Sequence, residues 1–154
     1  METLKIYTDG SCKNNGKTNA KASYAVFFSK SDHRNICELL SGEQTNNRAE
    51  LSAIYKALQI LYNDQTSKYK NIIIFTDSLY SLNSITIWSV LWKENNWKTK
   101  NKKDVKNKDL IQDILSYIKL FPNIKLQYIK AHTNLLDEDS LGNQQADLLA
   151  NSIL

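Results

Sequence analysis

Ile72-Ile73-Ile74-Phe75-Thr76-Asp77-Ser78 decides how the rest of the chain is read. Four successive apolar residues are too few for a helix and read as a strand buried on both faces. A carboxylate follows where that strand ends, and in open α/β sheets ligands bind at the carboxyl ends of the strands. The same grammar occurs at Leu4-Lys5-Ile6-Tyr7-Thr8-Asp9-Gly10-Ser11. Two strands ending in Thr-Asp predict two carboxylates, Asp9 and Asp77, delivered to one edge of one sheet.

Outward from these strands, the first forty residues predict an antiparallel meander, with strands over about 3–9, 23–28 and 34–41. Leu51, Ile54, Tyr55, Leu58 and Leu61 then follow helical spacing from Asn47 to about Tyr62. After the buried strand, Ser78 opens a second helix towards Trp92. A third over about 107–120 carries the stripe Leu110, Ile111, Ile114, Leu115 and Ile118, and Pro122 closes it. Ile124 to Ile129 alternates as a last strand. Asp137-Glu138-Asp139-Ser140 reads as a loop, and Asn143 to Ile153 as the final helix. The order β-β-β-α-β-α-α-β-α predicts an α/β fold, a mixed sheet with helices packed on it, forming one domain over 1–154.

Composition excludes several classes. A chain of 154 residues, 42% apolar and 23% charged, suits one soluble globular domain with its own core. No apolar run approaches the ~20 residues that span a membrane. Met1-Glu2-Thr3-Leu4-Lys5 leads directly into a strand, so no signal peptide is expected. Cys12 and Cys37 form neither a metal knuckle nor a disulfide framework, which predicts an intracellular, reduced location in cytoplasm or nucleus.

The net charge of +4 is unevenly spread. Seven lysines against Glu94 and Asp104 give residues 93–108 a balance of +5, and the remainder of the chain is −1. A charge run is commonly a solvated face. Here it is interleaved with Trp88, Trp92 and Trp97, which supplies both parts of a nucleic-acid groove: charge for the backbone, flat faces for sugars or bases.

Each candidate carboxylate has a bland reading. Asp9-Gly10 is a common turn pair, Asp77 is placed to cap a helix, Glu50 lies three residues after Asn47 as in a capping box, and Asp147 suits the polar face of a helix. Taken together they read differently. Two sit at strand ends and two near helix starts, so separate elements can bring them to one point. Clustered carboxylates repel and raise one another's pKa, and a hard divalent cation removes that repulsion with oxygen ligands. Two such ions roughly 4 Å apart bind the attacking water and the leaving oxygen of a phosphodiester.

Tyr7-Thr8-Asp9-Gly10-Ser11-Cys12, Thr45-Asn46-Asn47-Arg48-Ala49-Glu50-Leu51, Thr76-Asp77-Ser78-Leu79-Tyr80 and Gly142-Asn143-Gln144-Gln145-Ala146-Asp147 resemble, in order, the four acidic motifs of the type 1 ribonuclease H family. The resemblance implies a mixed five-stranded sheet and endonucleolytic cleavage of RNA in RNA–DNA hybrids, leaving 5′-phosphate and 3′-hydroxyl ends. It implies that Asp9, Glu50, Asp77 and Asp147 hold two Mg²⁺ ions, with Mn²⁺ able to substitute. His132 matches the family's loop histidine, which assists proton transfer or product release. Such a role is open to an imidazole, which titrates near pH ~6.5.

An enzyme that cuts RNA but not DNA must sense the 2′-hydroxyl, reached through the shallow minor groove. By resemblance, Asn46, Asn47 and the backbone near Cys12 lie against the RNA strand, and Thr45 and Asn107 cradle a DNA-strand phosphate. Residues 86–108 resemble the family's basic protrusion, with Trp88, Trp92, Lys98, Lys100, Lys102 and Lys103 towards the DNA strand. A monomer with no obligate protein partner is expected, and no separate hybrid-binding domain.

Three departures from the family pattern stand out. The connection from Lys13 to Ser23 has a single glycine, Leu79 replaces a common glutamine, and the stretch from His132 to Asp147 is long and holds three further acids, read as a solvated loop. Two rival readings are a non-catalytic hybrid-binding module and another nuclease of the same fold, such as a Holliday-junction resolvase or an integrase.

Overall fold

A computed structural model describes residues 2–64 and 70–154. Strands β1 (Thr3–Lys13), β2 (Lys21–Phe27) and β3 (Ile36–Leu39) form the antiparallel meander. On the other side of β1, β4 (Asn71–Thr76) and β5 (Ile124–Tyr128) add in parallel, so the sheet order is β3-β2-β1-β4-β5. The helices are α1 (Asn46–Asn63), α2 (Leu79–Asn83), α3 (Ser89–Glu94), α4 (Lys108–Ile118) and α5 (Glu138–Asn151). A π-helical turn, Ser84–Trp88, joins α2 to α3 without a break.

The period-two alternation of the central strands sorts their side chains between two cores. Ile6, Ile72 and Ile74 pack with Leu51, Ile54, Leu58, Ile111 and Ile114 of α1 and α4. Tyr7 and Phe75 point the other way, stack with ring centroids 5.1 Å apart, and meet Ala146 of α5. β4 is therefore covered on both sides, as its unbroken apolar run requires. Gly142 allows the close approach of α5, since a Cβ there would lie 2.5 Å from the Tyr7 ring.

Two local readings are corrected. β1 does not end at Asp9 but continues to Lys13, so Asp9-Gly10 is strand and not turn. The acidic stretch at 137–140 is the start of α5, not a loop. Asp137 caps the helix by accepting from Ser140 N at 3.1 Å, and Glu138 and Asp139 occupy its first turn. Lys5 Nζ binds both of those first-turn acids at 3.2 Å, and the Tyr7 hydroxyl donates to Asp139 at 2.7 Å. These acids fasten α5 to β1. No helix among the described residues is long and apolar enough to cross a membrane.

Candidate active site

The site grows out of the register between β1 and β4. Their parallel pairing runs from Thr3↔Asn71 to Tyr7↔Phe75, and β4 ends one residue later while β1 continues along β2. Carried two residues further, the same offset sets Asp9 opposite Asp77, at the opening where the two strands part. Thr8 Oγ1 donates to Phe75 O at 2.8 Å across that opening, and Thr8 and Thr76 are both buried. The two Thr-Asp pairs are thus anchored by threonine, with the Asp9 carboxylate buried and that of Asp77 half-buried.

Glu50 arrives from α1. The cap of α1 is Thr45, whose hydroxyl accepts from Arg48 N at 3.2 Å, so the capping-box reading of Asn47 and Glu50 does not apply. Glu50 is 4% exposed and accepts from the Gly10 backbone N–H. Only glycine fits there, because a Cβ on residue 10 would meet Glu50 N at 2.4 Å and Ala49 C at 2.5 Å. The cap of α2 is Ser78, not Asp77: its hydroxyl accepts from Ser81 N at 3.1 Å. Both carboxylates are thereby released from capping duty.

Asp9, Glu50 and Asp77 each present a carboxylate oxygen within 4.8 Å of the others. Burial, then repulsion from Glu50 and Asp77, pushes the Asp9 carboxyl up to about 12, and Asp147 adds to the same pressure. Glu50 is driven well above the ordinary carboxylate range by its burial and then by the Asp77 charge. No ion pair among the described residues reaches Asp9, Glu50, Asp77 or Asp147. An all-oxygen, uncompensated cluster of this kind fits a hard divalent cation.

Asp147 stands half-buried on α5, outside the tight trio. Asn151 Nδ2 donates to its carboxylate at 3.1 Å, and Ser11 Oγ donates to Asn151 Oδ1 at 2.6 Å, which ties α5 to β1 just past Asp9. Asp147 shares a polar cavity with His132, which is exposed on its loop at φ +53°.

A second cleft brings Thr45 and Asn107 together with Asn46 and Asn47, although 62 residues separate the first two. Cys12 is half-buried, with Sγ 3.8 Å from Gln44 O at the neighbouring loop. In the protrusion, Trp92 and Trp97 pack against the main core, while Trp88 is 37% exposed. Lys98 is tied to Asp104 at 2.6 Å, whereas Lys100, Lys102 and Lys103 are exposed with no carboxylate partner among the described residues. Arg48 and Tyr80, which the sequence reading leaves without a role, both bond Asn107.

A family model described as RNase H matches residues 1–154. The chain belongs to the RNase H family. It is 46% identical over 149 residues to a ribonuclease H of Schizosaccharomyces pombe, covering 94% of this chain and 50% of that one. It is 34% identical over 155 residues to a ribonuclease H of Clostridium botulinum, covering 100% of this chain and 97% of that one. The solution structure of the PFV RNase H domain superposes with a TM-score of 0.72 at 24% identity, covering 97% and 92% of the two chains, which supports the RNase H fold. This RNase H-family chain spans about half the length of the first curated relatives it matches.

Proposed function

We propose that this chain is a metal-dependent endoribonuclease that hydrolyses the RNA strand of RNA–DNA hybrids. The observation that carries the reading is the Asp9–Glu50–Asp77 cluster in a chain of the RNase H family: three carboxylate oxygens within 4.8 Å, with no ion-paired cation among the described residues to balance them. Asp9, Glu50, Asp77 and Asp147 would hold Mg²⁺ or Mn²⁺, two ions per site, which when bound supply the charge that favours water attack and departure of the ribose oxygen. The Gly10 N–H orients Glu50, and Asn151 orients Asp147, so the donor set is built before substrate arrives. His132 assists proton transfer or product release: the attacking water gives up a proton, the departing O3′ takes one, and an imidazole can carry it between them and solvent. Hydrolysis breaks the P–O3′ bond, leaving a 5′-phosphate and a 3′-hydroxyl.

Strand selection follows from two kinds of contact. Asn46, Asn47 and the backbone near Cys12 address the 2′-hydroxyl, which only the RNA strand offers. Thr45 and Asn107 take a DNA-strand phosphate, and Trp88, Trp92, Lys98, Lys100, Lys102 and Lys103 extend that contact along the protrusion. The chain acts as a monomer in this reading. The test is a substrate panel with either strand labelled: hybrid, duplex RNA, duplex DNA and single-stranded RNA, all with Mg²⁺. The expected result is internal cutting of the RNA strand of the hybrid alone, with products that ligate only through a 5′-phosphate. Cutting of duplex DNA, or hybrid binding without cutting, overturns the reading.

A further inference from the structure

Tyr80 stands where α2, the protrusion and the start of α4 meet. Asn107 immediately precedes α4 with φ +60°, a left-handed conformation that asparagine tolerates better than most residues. At such a helix start an asparagine side chain ordinarily bonds a first-turn N–H. Here it makes no cap bond. Its amide turns to the cleft shared with Thr45 and is held from two sides. Oδ1 accepts from Arg48 Nη1 at 3.2 Å, and Nδ2 donates to the Tyr80 hydroxyl at 3.0 Å. Those two bonds fix which end of the amide lies where, and they leave the second Nδ2 hydrogen of Asn107 to donate to a ligand. Arg48 is itself anchored, its Nη2 2.7 Å from Asp109 Oδ2.

The ring of Tyr80 has a second partner. It meets Trp88 edge-on at 6.1 Å between centroids, and tilted ring contacts continue from Trp88 to Trp92 and from Trp92 to Trp97, at 6.0 Å each. An uninterrupted α-helix would not allow the first of these pairings. At about 100° per residue, positions eight apart lie about 80° apart around the axis. The π turn at Ser84–Trp88 accommodates one extra residue. That takes back about 100° and leaves Tyr80 and Trp88 within about 20° of one line.

We propose that Tyr80 is a positioning residue that joins the phosphate cradle to the aromatic face of the protrusion. Its hydroxyl fixes Asn107 and its ring seats Trp88, so two points of attachment for the DNA strand are held at one spacing. The role rests on the hybrid-nuclease reading above.

Steady-state cleavage of a labelled hybrid with Mg²⁺ tests it. Tyr80→Phe keeps the ring, so the protein folds, and removes only the hydroxyl. KM rises about three- to tenfold, as for removal of one hydrogen bond, with kcat within about twofold of wild type. In an Asn107→Ala background the same change has no further effect, because the hydroxyl acts through that amide. Tyr80→Leu raises KM more, and part of the excess disappears when Trp88 is already alanine. Three results overturn the role alone: an unchanged KM in Tyr80→Phe, a fall in kcat without a rise in KM, or full additivity with Asn107→Ala. A wild-type protein that leaves the hybrid uncut overturns the nuclease reading and this role together.

Discussion

At the scale of single residues, the site is a set of carboxylates that the chain keeps close and leaves uncompensated. Asp9 has an ordinary value of 3.8 and is pushed up to about 12 when folded, by burial and then by Glu50 and Asp77. A carboxyl raised in this way binds more protons in the folded than in the unfolded state at every pH between those values. Stability is therefore full below the unfolded value and is lost as pH climbs towards the folded one. Thermal melts of the metal-free protein should show Tm falling from pH 5 to pH 9. Mg²⁺ should recover most of the loss at pH 9, and Asp9→Asn should flatten the dependence. A metal-free Tm independent of pH contradicts the clustering. Gly10→Ala should be more damaging, at about 1–3 kcal/mol from overpacking, with activity falling as the strand is forced off Glu50; calorimetry beside cleavage rates checks it. Asp77 and Glu50 are legible because they sit at a strand end and early in a helix, whereas Asp9, inside β1, and Asp147, late in α5, are legible through the repeated Thr-Asp pair and the family motif. Arg48 and Tyr80 are not, because their role is a bond to Asn107, distant in sequence and without local signature.

Among the elements, the helix from Leu79 to Glu94 departs most from its sequence reading. Its boundaries are legible, but apolar spacing gives no sign of a π turn. The turn buries the Ser84 hydroxyl without a hydrogen-bond partner, alone of its kind among the described residues. Ser84→Ala removes that orphan and should stabilise by about 1 kcal/mol, a Tm rise of about 2–4 °C for a chain of this size. A lower Tm means the hydroxyl is satisfied. In the loop that follows, Lys98 is engaged by Asp104, while Lys100, Lys102 and Lys103 meet no carboxylate among the described residues. Changing those three to alanine should flatten the slope of log binding constant against log salt by about 0.9 for every phosphate they neutralise in the wild type, and Lys98→Ala should do less. An unchanged slope removes the loop from the interface. The start of α5 defies its sequence reading for a physical reason. Three adjacent acids look like a solvated loop, yet a capping Asp followed by first-turn acids is also how a helix begins. What distinguishes the two is Lys5 and Tyr7, supplied by the far end of the chain.

For the molecule as a whole, function follows from sheet order. β1 pairs antiparallel on one side and parallel on the other. Where β4 leaves it, the sheet opens, and α1 and α5 close over the opening with one acid each. That arrangement is legible in the repeated Thr-Asp pair and the two acid-bearing helices; the pairing of Tyr80 with Trp88 is not, since it depends on the π turn. The most direct measurement is the single-turnover cleavage rate of an RNA–DNA hybrid titrated with Mg²⁺, for wild type and for Asp77→Asn. The expected result is no cutting in EDTA, saturable acceleration by the metal, and a rate at least about 100-fold lower in the variant at saturation, in line with loss of a major electrostatic contribution. Cutting that persists in EDTA, or an Asp77→Asn variant as fast as wild type, contradicts the claim that these carboxylates are there to hold metal for hydrolysis.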